Sequence, residues 1–451
     1  MSMITRKMRG GIAAGIAGLA VWLMILSAAC RSGDKGMRTD QAQARPPVKL
    51  GVEVFLERYA GLVKGKNVGL ITNPTGVDSS LKSDVELFLS HPGIKLAALY
   101  GPEHGAHVSA QAGETVSFYI DSHYGIPVHS LYRQVGRPAS GLQKDRDADM
   151  RSFDTRDEGK TLEHDMVQGI DVMIYDMQDV GTRVYTYVST MAYAMETCAE
   201  KGIPFIVLDR PNPIDGQAME GPVLDPAFAS FIGVFQIPLR HGMTVGELAL
   251  LFNDKFLAKK TDLTVIAMEG WPRARCYDET SLPWVIPSPN MPTLDTATVY
   301  PGQVMLEGTN VSEGRGTTKP FELFGAPWID GYALSRKLNN LGLPGVAFRE
   351  AWFTPTFSKF KGERCGGCQL HVLDRNTYKP VETSLHVIKT IRDMYPAQFQ
   401  FHADYFDKVM GTARVRDALE SGRPVRDIAA GWDAELLKFA EVRKPYLLYK
   451  E

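Results

Sequence analysis

Short, wholly apolar runs alternate with amphipathic segments from residue 48 onward. We predict strands at 67–72, 94–100, 126–131, 170–175, 204–208, 263–268 and 369–373, where apolar residues are continuous or nearly so. We predict helices at 83–90, 190–201, 244–252, 383–395 and 432–443, where apolar residues recur at helical spacing. Apolar strands separated by helices are typical of a parallel sheet covered on both faces. The fold class we predict is therefore α/β: a doubly wound, Rossmann-like sheet domain followed by a smaller α+β domain.

The pattern changes after Trp271. Residues 283–325 are dense in Pro, Gly, Ser, Thr and Asn, and we expect a long functional loop region with little regular structure there. We place a catalytic Rossmann-like domain at 48–285 and an auxiliary α+β domain at 286–451. Residues 136–160 are rich in Arg, Asp, Lys and Ser, which predicts an exposed insertion.

The first thirty residues have the pattern of an export signal. A basic start precedes an apolar stretch at 11–26, and Ser27-Ala-Ala-Cys30 follows at once. Cys30 resembles the lipidated cysteine of bacterial lipoproteins, although Ser27 stands where leucine is usual. We predict a signal peptide at 1–30, a flexible spacer at 31–47, and a periplasmic or cell-surface lipoprotein held at the membrane by lipid. The alternative is a single uncleaved membrane anchor.

Charge and cysteine content narrow the function classes. Lys plus Arg is 50 against 52 for Asp plus Glu in 451 residues, so no basic excess favours a nucleic-acid partner. Four cysteines follow Cys30, and two of them have the Cys-x-x-Cys spacing of a redox pair or half a zinc site. Since the chain has no second such pair, we expect a structural pair or free thiols. The four are Cys198, Cys276, Cys365 and Cys368.

Polar residues follow four of the predicted strands. They are Asn73; Glu103 and His104; Asp176, Asp179 and Arg183; and Asp209, Arg210 and Asn212. The carboxyl ends of parallel strands line one crevice, so we expect these side chains to converge. Paired carboxylates suit acid-catalysed cleavage of an acetal, and Asn and Arg suit the polar groups of a sugar. The alternative for Glu103 is a turn carboxylate that caps the next segment.

Several other chemistries lack their motifs. No Gly-x-Gly-x-x-Gly follows the first strand, and no Walker lysine pattern or Gly-x-Ser-x-Gly elbow occurs. The pair His104 and His107 does not have the spacing of a zinc-binding helix. We therefore predict no cofactor and no metal.

Seven long motifs occur in an order that is similar to one known family. They are Asn-Pro-Thr-Gly at 73–76, Gly-Pro-Glu-His-Gly at 101–105, Asp-Met-Gln-Asp-Val-Gly at 176–181 with Thr-Tyr at 186–187, Leu-Asp-Arg-Pro-Asn-Pro at 208–213, Arg-His-Gly-Met-Thr-Val-Gly-Glu at 240–247, Pro-Ser-Pro-Asn-Met-Pro at 287–292 and Glu-Gly-Thr-Asn-Val-Ser-Glu-Gly-Arg-Gly at 307–316. The series resembles the bacterial exo-β-N-acetylmuramidase family over about residues 48–450. The resemblance implies a Rossmann-like domain, a smaller C-terminal domain and a site in the cleft between them.

The resemblance also implies a reaction. Members release terminal N-acetylmuramic acid from the non-reducing ends of peptidoglycan fragments, and the family's glutamate falls on Glu103. For the lactyl carboxylate of that sugar we expect Arg210 or Arg315, because arginine presents a planar fork. Glu313 is expected to orient Arg315. The matched motifs add Tyr187, Asn290 and Asn310 as candidate substrate-binding residues.

Two features depart from the family pattern: the insertion at 136–160 and the residues Ala106-His-Val108. We expect Glu103 to be the general acid/base, with Asp179 as base or nucleophile. Attack by the substrate's own 2-acetamido group is the alternative and stays open. The competing function is an exported, lipid-anchored sugar-binding protein without catalysis, and a scaffold for other wall enzymes is a third.

Overall fold

A computed structural model describes residues 47–103, 105–107, 117–132 and 162–450. Its strands are β1 (Asn67–Thr72), β2 (Lys95–Gly101), β3 (Tyr119–Ile120), β4 (Pro127–Ser130), β5 (Val172–Asp176), β6 (Phe205–Leu208), β7 (Glu220–Val223), β8 (Pro238–Arg240), β9 (Leu263–Ile266), β10 (Leu323–Ala326), β11 (Val346–Phe353) and β12 (Cys365–Val372). Its α-helices are α1 (Gly51–Val54), α2 (Asp84–Ser90), α3 (Tyr187–Lys201), α4 (Val245–Lys255), α5 (Leu294–Gln303), α6 (Gly331–Asn339), α7 (Pro380–Met394), α8 (Ala403–Met410), α9 (Arg414–Glu420), α10 (Val425–Ala429) and α11 (Asp433–Arg443).

The larger sheet has seven strands in the order β3-β4-β2-β1-β5-β6-β9. All neighbours pair in parallel except the edge strand β3, which is antiparallel to β4. A second sheet, β10-β12-β11, is antiparallel, and β7 and β8 form a two-stranded ribbon. The predicted α/β class, with a parallel sheet first and a smaller antiparallel sheet after it, is confirmed.

Strand order reverses between β1 and β5. From β1 the chain moves outward through β2 to β4; it then returns to the other side of β1 with β5 and continues to β6 and β9. Open α/β sheets bind ligands at such a switch point, outside the carboxyl ends of the strands. The loops after β1, β2 and β5 therefore frame the candidate site.

Both faces of the large sheet are buried, which explains the continuous apolar runs. In β5, Val172 and Ile174 face one hydrophobic cluster, whereas Met173 and Tyr175 face another. Successive side chains of a strand point to opposite faces, so a strand covered on both sides must be apolar throughout. The second cluster continues without a break into helices α5 and α7 of the C-terminal half. The boundary near residue 285 stays a prediction.

The expectation of little regular structure at 283–325 is wrong. Helix α5 lies there, capped by Thr293, whose side chain accepts a hydrogen bond from the N–H of Thr296. Pro301 sits inside this helix near its carboxyl end. Proline removes one helical hydrogen bond and normally breaks a helix, which is why the sequence pattern hid this element. Burial of Val299 and Tyr300 against the core stabilises the helix despite that loss.

The four cysteines in the described part of the chain are free thiols. Cys365 and Cys368 lie three residues apart on β12, so their side chains point to opposite faces and cannot bridge. No helix among the described residues is long and apolar enough to span a bilayer. The predicted signal peptide with Cys30, the spacer up to residue 46 and the insertion at 136–160 lie outside the described residues.

Candidate active site

Glu103 lies in the tight turn that follows β2. A Cβ atom on Gly101 would lie 2.4 Å from the backbone nitrogen of Ala106, so the turn folds back closely on the end of the strand. A residue without a side chain permits that approach. The turn leaves Glu103 half-buried, and its Oε2 accepts a hydrogen bond from Thr186 Oγ1 at 3.1 Å. Thr186 stands directly before α3, so the carboxylate is fixed to a rigid element.

Three buried tyrosines surround this carboxylate. Burial raises the pKa of Tyr132, Tyr187 and Tyr300, and the negative charge of Glu103 raises each pKa further. A carboxylate acts in this way only on groups that lie close to it. Glu103 therefore combines a partly exposed position with a wall of neutral phenols, which lowers the polarity around it without adding a second charge.

The aromatic wall, comprising in order Tyr187, Tyr185, Tyr300 and Phe321, joins the Glu103 turn to the C-terminal half. Neighbouring ring centres are 4.8, 5.9 and 4.8 Å apart along that series, all edge to face. The guanidinium of Arg315 lies 5.1 Å from the centre of the Phe321 ring. Arg315 thus lies at the far end of the wall whose near end borders Glu103.

Tyr300, on α5, is a buried tyrosine whose pKa is changed by four charged side chains. Burial and the carboxylate of Glu307 raise its pKa, Arg315 lowers it, and Glu103 and Asp179 raise it further. The ring of Tyr300 packs edge to face on Tyr185 and on Phe321, and Phe321 in turn lies beside Arg315. Tyr300 therefore connects Tyr185 with the surroundings of Arg315, and sequence reasoning did not single it out.

Asp179 follows β5 and is buried. Its Oδ2 accepts a hydrogen bond from the N–H of Gly181 at 2.7 Å and lies 3.5 Å from His241 Nε2. Its Oδ1 is also buried but has no hydrogen-bond partner in the part of the chain that the structure describes. Asp179 thus follows β5 as Glu103 follows β2, and the convergence of the two side chains stays a prediction.

Arg315 is held by one edge of its guanidinium. Nε and Nη2 donate to Glu307 Oε1 at 2.9 and 2.6 Å, and Glu307 Oε2 accepts a hydrogen bond from Tyr405 at 2.8 Å. Within the described residues Nη1 has no hydrogen-bond acceptor, and the side chain is 21% exposed. Arg315 can therefore present a free N–H edge to an anion.

The expected ion pair between Glu313 and Arg315 is present, with Nε of Arg315 3.6 Å from Oε1 of Glu313. Glu313 has a closer partner in Lys359, whose Nζ lies 3.1 Å away and also donates to three backbone carbonyls. Glu307 is the carboxylate that orients Arg315. The sequence already indicated this role for Glu307, because Glu307 is the first residue of the motif that contains Arg315.

Comparisons with known proteins agree with this arrangement. A family model described as exo-β-N-acetylmuramidase NamZ, N-terminal, matches residues 68–160 and 142–295, and its C-terminal counterpart matches 298–449. The chain is 47% identical over 443 residues to the peptidoglycan β-N-acetylmuramidase NamZ of Bacillus subtilis, covering 98% of this chain and 100% of that protein. The chain belongs to the NamZ family.

Two crystal structures of DUF1343 family proteins from Bacteroides fragilis share the fold. One is 36% identical with a TM-score of 0.78, covering 90% of this chain and 99% of that chain. The other is 29% identical with a TM-score of 0.67, covering 90% and 100%. This chain and those two proteins therefore share the architecture described above.

Arg210 does not reach the NamZ site. It is 3% exposed, and its Nε and Nη2 donate to the two oxygens of Asp176 at 2.5 and 2.9 Å. Nη2 also donates to the carbonyl of Val77. Arg210 is thus a buried link between β5, β6 and the loop after β1. The expectation that it binds the lactyl carboxylate is contradicted, which leaves Arg315.

Arg183 has a structural role as well. It is 1% exposed and donates to the carbonyls of Pro222, Ile237 and Val409 at 2.9–3.0 Å. Burial without a carboxylate partner lowers its pKa to about 9. Arg183 donates hydrogen bonds to backbone carbonyls of β7 and α8 and is closed to solvent. Its predicted contact with substrate is therefore wrong.

The side chains of Asp209 and Asn212 are hydrogen-bonded to other groups inside the fold. Asp209 accepts hydrogen bonds from Thr244, Gly246 and Tyr449, and burial raises its pKa to about 7. Asn212 donates to the carbonyl of Met243 and accepts from a backbone N–H two residues on. Neither side chain is free to bind a sugar, so both predictions are wrong.

The structure describes the contacts of some of the remaining candidate substrate-binding residues but not of all. Asn73 binds Thr75 of its own turn, Tyr187 donates to the carbonyl of Pro287 in the core, and the amide of Asn310 binds backbone at residues 398 and 400. These contacts argue against direct sugar binding by the three side chains. Asn290, 6% exposed, stays a prediction. His104 lies outside the described residues.

Proposed function

We propose that this protein is an exo-acting glycosidase that releases N-acetylmuramic acid from the non-reducing ends of peptidoglycan fragments, with Glu103 as general acid/base. Membership of the NamZ family supports the reaction class. The observation that carries the residue assignment is the partly exposed Glu103 carboxylate, which Thr186 holds in the turn after β2, beside the switch point of the sheet.

Glu103 acts at the glycosidic oxygen. Thr186 holds Oε2, so the other oxygen of the carboxyl can deliver its proton to the leaving oxygen as the bond from C1 breaks. If the carboxylate of Asp179 or the substrate's acetamido oxygen attacks C1 first, water attacks C1 in a second step, the bond from C1 to that first nucleophile breaks, and Glu103 takes the proton of the water. If a water that Asp179 activates attacks C1 first, Asp179 takes its proton and the reaction ends in that single step.

Arg315 supplies specificity for the muramyl group. A lactyl carboxylate can bind the free Nη1 edge while the Nε and Nη2 edge stays on Glu307. The aromatic wall connects Tyr187, next to the Thr186 that binds Glu103, with Phe321, next to Arg315. A glucosaminide lacks the anion and leaves that edge unused.

The enzyme is proposed to act outside the cytoplasm. The export signal at 1–30 and the cysteine at its end support a periplasmic or cell-surface lipoprotein anchored through Cys30. Labelled fatty acid fed to the producing bacterium should appear on the protein and not on the Cys30→Ala variant. Equal labelling of both would contradict the anchor.

The function is tested with a chromogenic β-N-acetylmuramide. The enzyme should release the chromophore with saturation kinetics and should act on muropeptides only at the non-reducing end. A sugar-binding protein would show saturable binding of the muramide without colour. That outcome would overturn the proposal.

A further inference from the structure

His241, directly after β8, is a fully buried imidazole that lies against Asp179. Its Nε2 is 3.5 Å from Asp179 Oδ2, and the two side chains are 0% and 5% exposed. At 3.5 Å the contact is an approach without a formed hydrogen bond, and Nε2 has no other partner among the residues that the structure describes. Catalytic hydrogen bonds are often long in the free enzyme and tighten when substrate binds.

The other ring nitrogen of His241 fixes where its proton lies. Nδ1 accepts a hydrogen bond from the N–H of Met243 at 3.2 Å. A neutral imidazole has one donor and one acceptor nitrogen. The proton of His241 is therefore on Nε2, where it points at Asp179.

Asp179 is bonded on one oxygen only. Oδ2 receives the N–H of Gly181 and faces His241, whereas the buried Oδ1 has no partner within the described residues. Nearly all buried polar atoms in folded proteins are hydrogen-bonded, so the unpaired Oδ1 can accept a hydrogen bond from one further donor. The substrate's acetamido N–H and the attacking water are both such donors.

The backbone around His241 prevents the imidazole from turning away. The carbonyls of His241 and Gly242 accept hydrogen bonds from Arg443 Nη1 at 3.0 and 2.7 Å. Gly242 has φ +59°, and a Cβ there would lie 2.5 Å from the same nitrogen. The backbone that carries the imidazole is therefore held in place, and the hydrogen bond from Met243 to Nδ1 holds the ring.

We infer that His241 is a positioning residue for the reaction: its Nε2–H donates to Oδ2 of Asp179 once substrate binds, and so keeps Oδ1 directed at the acetamido N–H or the attacking water. This inference rests on the proposed glycosidase function and adds to it. It gives Asp179 a defined contact with substrate through one named atom, while His241 itself does not touch the substrate.

The test compares His241→Gln with His241→Asn and His241→Phe on the chromogenic muramide. Glutamine can place an N–H near the position of Nε2, asparagine places its amide near Nδ1 and cannot reach Asp179, and phenylalanine removes both nitrogens. Misplacing a catalytic group by about 1 Å lowers turnover by about 10- to 100-fold. We expect that loss in kcat for the Asn and Phe variants with KM little changed, and clear recovery with Gln.

The control is His371→Phe, since His371 on β12 is another imidazole with a buried, unpartnered Nε2. It should lower the unfolding temperature but not kcat per folded molecule. If His241→Phe does not fold, the Gln and Asn pair carries the test. Equal kcat for Gln and Asn, or wild-type kcat in the Phe variant, would overturn the inference. If the wild type releases no chromophore, the proposed function fails instead.

Discussion

At the residue scale, Arg210 and Arg315 differ in whether part of the guanidinium stays free to bind a ligand. Arg210 gives a bidentate edge to Asp176 inside the sheet, and Arg315 gives one edge to Glu307 but keeps Nη1 free and partly exposed. A buried pair of opposite charges stabilises only when both partners stay together. Position at a strand end was therefore insufficient to identify a ligand-binding arginine.

Replacing each arginine by lysine separates these roles. Lysine keeps the charge opposite the carboxylate but loses the fork. For Arg315→Lys we expect the preference for muramides over N-acetylglucosaminides, measured as a ratio of kcat/KM, to fall by about 10- to 100-fold, because one charge-assisted hydrogen bond contributes about 1.5–3 kcal/mol. Arg210→Lys should lower the free energy of unfolding and leave the ratio intact. The reverse result would restore Arg210 as the lactyl ligand.

Sequence patterns located the site better than they assigned its contacts. Glu103 and Asp179 follow strands at the switch point, so topology alone places both at the carboxyl edge of the sheet. Asp209 and Asn212 follow β6, one strand further out, where the chain turns inward to bind Thr244 and Met243. Which side of a loop faces inward depends on packing between distant segments, and hydrophobic periodicity does not record that packing.

At the element scale, Asp209 joins the end of β6 to the start of α4. It accepts hydrogen bonds from Thr244 Oγ1 and the N–H of Gly246 at 2.7 and 2.8 Å. Thr244 and Glu247 form a capping box at the start of α4, and Asp209 adds a second carboxylate there. Because no solvent reaches Asp209, burial raises its pKa to about 7.

This shift predicts a pH dependence of stability. The unfolded-state pKa is about 4, so Asp209 stabilises the fold fully below pH 4 and loses that contribution as pH rises toward 7. The variant Asp209→Asn lacks the titration. We expect the difference in unfolding free energy between wild type and variant, measured with urea, to shift between pH 4 and 7 by up to about 4 kcal/mol, at the wild type's expense. A difference that stays constant with pH would contradict the buried titration.

At the scale of the whole molecule, the C-terminal segment returns to the first half of the chain. Tyr449 donates to Asp209 Oδ2 at 2.5 Å, Leu448 donates its N–H to Glu247, and Arg443 binds the loop that carries His241. One hydrophobic cluster also runs from the large sheet into α5 and α7. These long-range contacts could not be predicted from the local sequence pattern. Neither of the two segments that meet in each contact has an unusual pattern of apolar and polar residues.

Two tyrosines near the C-terminus test whether the contacts of the C-terminal segment stabilise the fold. Tyr449 binds buried Asp209, and Tyr446 makes a comparable 2.6 Å hydrogen bond to Asp254 at the surface. At pH 8, where Asp209 is charged, Tyr449→Phe should cost about 1.5–3 kcal/mol of unfolding free energy, and Tyr446→Phe less than about 0.5 kcal/mol. Equal costs would mean that the C-terminal segment does not close the fold through Asp209.

The most direct measurement is the turnover of the chromogenic muramide by Glu103→Gln. The amide cannot give a proton to the glycosidic oxygen, so kcat should fall by about 100- to 10,000-fold. Binding of N-acetylmuramic acid and the unfolding temperature should stay near wild type. The control is Glu441→Gln, which alters an exposed carboxylate on α11 and should leave kcat unchanged. Near-normal turnover in Glu103→Gln would contradict the assignment of Glu103 as the general acid/base.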